Sequence, residues 1–144
     1  MAANTKKKKS RKSGSGHPLT YDTARRIALA LPGSEEGTSY GTPAVRVGGR
    51  FLFRLREDGD TLALRIGFEE REMLIDNDPE AFYLTDHYRD YPAVLVRLSA
   101  VRLDTLRAVL EQAWRQVAPR RLVEAAAGSV SRRRASASAR GSKR

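Results

Sequence analysis

Cysteine is absent from this 144-residue chain. That removes a disulfide framework, a thiolate nucleophile and any cysteine-bound metal centre. Histidine is nearly absent as well, with only His17 and His87 present. A zinc site needs several nitrogen, sulfur or carboxylate ligands at sensible spacing, so neither a metal nor a cofactor is expected. No apolar run approaches the ~18 residues that read as a membrane span. The run Lys6-Lys7-Lys8-Lys9-Ser10-Arg11-Lys12 has no apolar segment behind it and does not read as a secretory signal. These absences suit a reducing cytoplasm, the location expected from sequence.

Acidic residues are missing from both ends. Residues 1–18 carry six Lys/Arg, residues 127–144 carry another six, and neither segment holds an Asp or Glu. Residues 19–126 hold 15 Arg and 17 acids, a net charge of −2, whereas the whole chain is +10. Lysine is also missing from the middle: every base there is Arg, whereas five of the six in the first tail are Lys. Like charge in a Gly/Ser/Ala background stays solvated and attracts polyanions. The organisation expected is a basic arm over 1–18, one domain over 19–126, and a Ser/Arg/Ala-rich tail over 127–144.

Within the domain, Thr20 or Asp22 can cap a helix whose apolar face is Ala24, Ile27, Ala28 and Leu31. Pro32-Gly33 ends it. Ser34 to Gly41 reads as a polar loop. Strands follow at Ala44–Val47, Arg50–Arg56 and Thr61–Ile66, joined by turns at Gly48-Gly49 and Asp58-Gly59. Alternation assigns Val45, Val47, Phe51, Phe53, Leu55, Leu62, Leu64 and Ile66 to the core. It turns Arg46, Arg50, Arg54, Arg56 and Arg65 outward, with Leu52 and Ala63 between them. Phe68–Asn77 reads as a helix with Glu69, Glu70 and Glu72 near its start. Ala81–Thr85 is a candidate strand, Asp86–Pro92 a Tyr-rich loop, and Ala93–Leu98 a strand. A last helix begins near Asp104 as cap and buries Leu103, Leu106, Leu110, Ala113 and Val117, with Trp114 beside them. Pro119 breaks that helix or starts a further turn through Leu122 and Val123. The order is α-β-β-β-α-β-β-α: an α+β domain with one antiparallel sheet and helices packed on one face.

The outward arginines are either an ordinary wet sheet face or a phosphate-contacting one, since a guanidinium donates two parallel hydrogen bonds to phosphate. Arg97 on the later strand belongs with them. The tails give sequence-blind affinity through counterion release, carried by Lys6, Lys7, Lys8, Lys9, Arg11 and Lys12 and by Arg132, Arg133 and Arg134. Tyr40, in Ser39-Tyr40-Gly41-Thr42-Pro43, either packs on the sheet edge or lines a cleft with His87, Tyr88 and Tyr91, where exposed aromatics could stack on bases. His87 is the one histidine in the domain, and a general base needs a positioned partner. Glu35-Glu36 are adjacent, which does not show convergence on one centre. Gly48-Gly49 precedes a strand, whereas phosphate loops open a helix. No nucleophile constellation is present, and no catalytic residue is assigned.

Leu31-Pro32-Gly33, Glu35-Glu36, Tyr40-Gly41-Thr42-Pro43, Val45-Arg46-Val47-Gly48-Gly49-Arg50, His87-Tyr88 and Tyr91-Pro92-Ala93-Val94-Leu95-Val96-Arg97-Leu98 resemble the MmcQ/YjbR family, in order. Leu106, Ala113-Trp114 and Val117-Ala118 fit that family's last helix, and the resemblance covers about residues 20–123. It implies a fold similar to CyaY-like and secretion-chaperone arrangements. It also implies a DNA-binding "double wing" of hairpins, at Val47–Arg50 and Arg56–Thr61. Three functions are therefore carried forward. The first is a non-enzymatic DNA binder, nucleoid-associated in that case, with RNA as the other polyanion the tails would suit. The second is a protein-interaction, chaperone-like module. The third is an enzyme with a cleft near His87 and Tyr40.

Overall fold

In a computed structural model of the chain, residues 18–126 are described. The elements run α1 (Tyr21–Leu29), β1 (Ser34–Ser39), β2 (Thr42–Val47), β3 (Arg50–Leu55), β4 (Thr61–Arg65), α2 (Phe68–Asn77), β5 (Phe82–Tyr83), β6 (Ala93–Arg97) and α3 (Leu103–Val117). A short 3-10 helix at Asp86–Tyr88 precedes β6, and residues 120–126 are helical. The six strands form one sheet in the order β1-β2-β3-β4-β6-β5, with every neighbouring pair antiparallel. This is the α+β architecture the alternation implies.

Local chemistry accounts for most boundaries. Thr20 is the N-cap of α1, and its backbone N–H donates to Thr23 Oγ1 at 3.2 Å. Gly33, at φ 76°, turns the chain out of that helix. Gly48 and Gly49 take φ 58° and 84°, the pair of positive values that a type I′ hairpin turn requires. Asp58 closes the β3–β4 turn by accepting the N–H groups of Asp60 and Thr61 and the Thr61 hydroxyl.

Three expectations need correction. Ser34–Ser39 is a strand, not a loop. It is an edge strand with no alternating apolar residues, so its sequence lacks the period-two signal, and it is held by backbone pairing to β2 from Ser34↔Val47 to Ser39↔Thr42. The N-cap of α3 is Arg102, not Asp104, which lies in the first turn where negative charge suits the helix dipole.

The third correction concerns β3. Val45 pairs with Phe53 and Arg46 with Phe51, so Leu52 is an extra residue in a bulge. The bulge changes the parity of the strand. Leu52 and Phe53 are both fully buried in the core, Phe51 faces the opposite side of the sheet, and Arg50 returns to the helical side. There Arg50 donates from Nη1 to Val117 O of α3 at 3.2 Å.

The core lies between the inner sheet face and helices α1 and α3. Val45, Val47, Leu62, Leu64, Val94 and Val96 come from the sheet, and Leu106, Leu110 and Ala113 from α3. Trp114 is buried and donates from Nε1 to Pro32 O at 2.8 Å, which ties the end of α1 to α3. Burying such aliphatic side chains stabilises by about 1.5–3 kcal/mol each. Among the described residues no helix is long and apolar enough to cross a membrane.

Candidate functional site

Covering one face of the sheet with α1 and α3 leaves the strands of the other to build a site. A cleft of about 470 Å³ opens there. Its floor is Phe51 on β3, Ala63 on β4 and Ala93 on β6, and the two alanines leave room above the sheet. Tyr40 stands on one side. His87, Tyr88, Tyr91 and Pro92, from the loop joining β5 to β6, stand on the other. Arg54 and Arg65 lie in register with the alanines, as Arg54↔Ala63 and Arg65↔Ala93.

Tyr40 occupies the first central position of the β1–β2 turn, with φ 54° beside Gly41 at 79°. Positive φ is uncommon for a bulky residue and costs energy. The ring is 87% exposed, and the Arg54 guanidinium lies 5.2 Å from its centroid. Arg54 itself is buried, donating to Thr42 Oγ1 at 3.1 Å and Leu55 O at 3.3 Å, with Glu57 at 3.5 Å. It supports the tyrosine turn while bringing positive charge to the cleft.

The opposite wall depends on a residue that the sequence did not single out. Arg71 of α2 is buried. Its guanidinium donates to the backbone carbonyls of Tyr88, Arg89, Tyr91 and Ala93 at 2.7–3.3 Å and lies 4.7 Å from the Phe68 ring centroid. One cation thus satisfies four carbonyls and holds the loop carrying His87, Tyr88 and Tyr91. The only signal available in sequence was a lone Arg among the glutamates of a polar helix, which reads as a surface residue.

The expected phosphate-contacting arginines do not form one stripe. Arg46 donates to Thr38 O on the edge strand, and Arg50 is turned to the helical side by the bulge. Arg97 donates to Glu80 O and lies 4.3 Å from the Tyr83 ring centroid. Arg56 lies 5.6 Å from the Tyr88 ring centroid, and its buried Nε has no partner among the described residues. Arg65 is exposed, and its side chain makes no hydrogen bond or ion pair among the described residues. Arg54 and Arg65 therefore line the aromatic cleft together with Glu57, Arg56 borders it over the Tyr88 ring, and Arg46, Arg50 and Arg97 serve elsewhere. Lys6 to Lys12 and Arg132 to Arg134 lie outside the described residues.

The hairpins corresponding to the two wings are tied down. At the β2–β3 turn, Gly48 N–H donates to Gly33 O at 3.0 Å, and a Cβ on Gly48 would meet Pro119 at 2.6 Å. At the β3–β4 turn, burial works against ionisation of Asp58, but its hydrogen bonds from Asp60 and Thr61 prevail and hold the carboxyl below its ordinary value. Asp60 accepts from Ser99 N and Oγ at 3.0 and 2.6 Å. Asp60 thus fastens this tip to the chain after β6, whereas Asp58 closes the turn itself and Glu57 pairs with Arg54.

His87 is exposed, in edge contact with Tyr88 at 4.8 Å between ring centroids and tilted against Tyr91 at 6.0 Å. The neighbouring Asp86 carboxylate is engaged by Arg89 at 2.5 Å. Among the described residues no cluster of metal-ligating side chains is found.

Comparison with known proteins gives this architecture a context. The chain is 37% identical over 68 residues to the uncharacterized proteins Rv2570 of Mycobacterium tuberculosis (strain ATCC 25618 / H37Rv) and Mb2600 of Mycobacterium bovis. That match takes in 46% of this chain and 53% of each relative, so the chain spans about half the length of the curated relatives it matches. The crystal structure of Deinococcus radiodurans protein DR2400, a DUF419 domain, is similar at TM-score 0.59 and 24% identity, over 69% of this chain and 78% of that one. At that identity the likeness speaks for the fold alone. The YjbR family model matches residues 29–116, from the end of α1 to the last turn of α3 and so across every strand that builds the cleft; the chain belongs to the YjbR family.

Proposed function

We propose that this protein is a non-enzymatic nucleic-acid-binding protein. The basic tails supply sequence-blind phosphate affinity, and the outer sheet face supplies a docking site for the strand. One observation carries the reading: the cleft brings Arg54 and Arg65 together with the exposed Tyr40 and Tyr91, and Arg56 lies over Tyr88 at its border. Cationic grooves interleaved with aromatic side chains are what nucleic-acid strands bind. Twelve basic residues in segments without a single acid add the long-range attraction. DNA is the partner favoured by the family resemblance, and the tails would accept RNA equally. The non-enzymatic part of the reading is supported by His87, which has no hydrogen-bonded carboxylate or hydroxyl among the described residues to orient it.

The test is fluorescence anisotropy of labelled DNA with the full chain across a salt series, comparing the wild type with Arg65→Glu. Arg65 is exposed and has no side-chain partner among the described residues, so charge reversal is expected to leave the stability measured by urea unfolding within about 0.5 kcal/mol of wild type. Binding should weaken severalfold, and the dependence of log K on log salt should become shallower. Unchanged affinity with an unchanged salt slope would move all binding to the tails. The sheet face would then need another role, with a protein partner the next to test.

A further inference from the structure

We infer that the cleft on the outer sheet face receives an unpaired nucleotide of a single strand, with the base against the tyrosines and the phosphate toward Arg65. The inference rests on the nucleic-acid reading above and names the form of the ligand.

Shape argues first. A duplex is read by elements that protrude into its grooves, and neither expected wing is free to do so. The β2–β3 turn is docked against Pro119 and Gly33, and the β3–β4 tip carries Glu57, Asp58 and Asp60. What the outer face offers is concave. Its volume of about 470 Å³ lies within the range of sites for single small ligands, roughly 300–1,000 Å³. Two alanines, Ala63 and Ala93, form the recess, and Phe51 lies beside them as an apolar surface for a ring.

Exposure argues next. Tyr40 and Tyr91 are 87% and 56% exposed on opposite sides of the recess. A large aromatic left in water and held at positive φ is an arrangement that folding does not favour. Asn or Gly would make the same turn without strain. The energy of ordering Tyr40 is recovered when a second π-face covers it, and every base has one. Charge argues last. Arg65 pairs in register with Ala93 in the floor and has no partner of its own among the described residues. A phosphodiester beside a stacked base would supply that partner.

The experiment uses the full chain with three labelled probes of equal length: oligo-dT, oligo-U and a DNA duplex. The variants are Tyr91→Ala, Tyr40→Gly and Arg65→Glu. Glycine suits φ 54° at position 40, so that variant removes the ring without straining the turn. Each tyrosine variant is expected to weaken single-strand binding about tenfold and to leave duplex binding within about twofold, as expected of contacts to phosphate alone. Tyr40→Phe should bind like the wild type, because the ring face and not the hydroxyl makes the contact. A difference between the dT and U arms identifies DNA or RNA as the strand held. If Arg65→Glu weakens binding but both tyrosine variants bind single strands like wild type, the face contacts backbone only. The base inference then fails and the nucleic-acid reading stands. If none of the three variants changes binding to any probe, the base inference fails and so does the docking role of the sheet face, which leaves all binding to the tails.

Discussion

The two faces of the sheet are made from the same strands and come out opposite in character. The inner face is apolar, covered by α1 and α3, and accepts no charge except at its margin, where Arg50 reaches Val117 O. The outer face carries Arg54, Arg56 and Arg65, an exposed tyrosine turn and a loop held by a buried cation. Period-two alternation alone would have made every strand two-sided in the same phase. The bulge at Leu52 breaks that phase within β3. It gives the core one more large side chain and gives the cleft floor Phe51. Core and site here compete for the residues of one strand, and a single inserted residue divides them.

The largest expected effect lies on the inner face. Phe53 is fully buried and meets Tyr21 edge to face at 5.9 Å between ring centroids. Phe53→Ala should cost about 3–5 kcal/mol in urea unfolding. A loss under ~1 kcal/mol would mean that the inner face is not the core.

Arg71→Met tests the outer face next. It removes the donor to four carbonyls while keeping the apolar stem. The expected loss is about 2–4 kcal/mol, by analogy with breaking a buried charged network. Hydrogen exchange should rise locally over residues 86–93, while amides of β2 and β3 keep their protection. Uniform exchange across the sheet would show that Arg71 holds the whole fold rather than the cleft wall.

The smallest effect belongs to the margin between the faces. Asp58→Ala removes the acceptor of three hydrogen bonds at the β3–β4 turn and should cost about 1–2 kcal/mol at neutral pH. The carboxyl is held below its ordinary 3.8 in the folded state. Its contribution is therefore fully present above that value and is lost as pH falls through the lower folded one. The stability gap between wild type and variant should shrink on acidification through this window. A gap independent of pH would assign the loss to packing instead of to the carboxylate.

Most of the fold was readable because burial leaves a periodic trace. The 3.6-residue repeat marks α1 and α3, alternation marks β2, β4 and β6, and Gly48-Gly49 and Asp58-Gly59 mark the turns. The site was less readable because its parts leave no such trace. Tyr40, His87 and Tyr88 could be named as a candidate cleft, but their distance in sequence gave no measure of approach. Arg71 looked like one more charge on a polar helix. Arg50 and Phe51 were assigned to each other's faces because nothing local marks a bulge in an alternating run. Ser34–Ser39 carried no apolar period, since an edge strand is held by backbone hydrogen bonds that any sequence can make.

By itself, then, the sequence determined composition and periodicity. It set one neutral α+β domain between two acid-free basic segments, an antiparallel sheet, and an excess of arginine on its open side. Those properties are sums over residues or over near neighbours, so no coordinates are needed to read them. Only the tertiary structure decided which arginines are free and which are spent on carbonyls. It alone turned Phe51 outward, docked the β2–β3 turn on Pro119, and set Tyr40 across a recess from Tyr91. Each of these depends on contacts between residues far apart in the chain, where packing and the demand that buried carbonyls find donors outweigh local pattern.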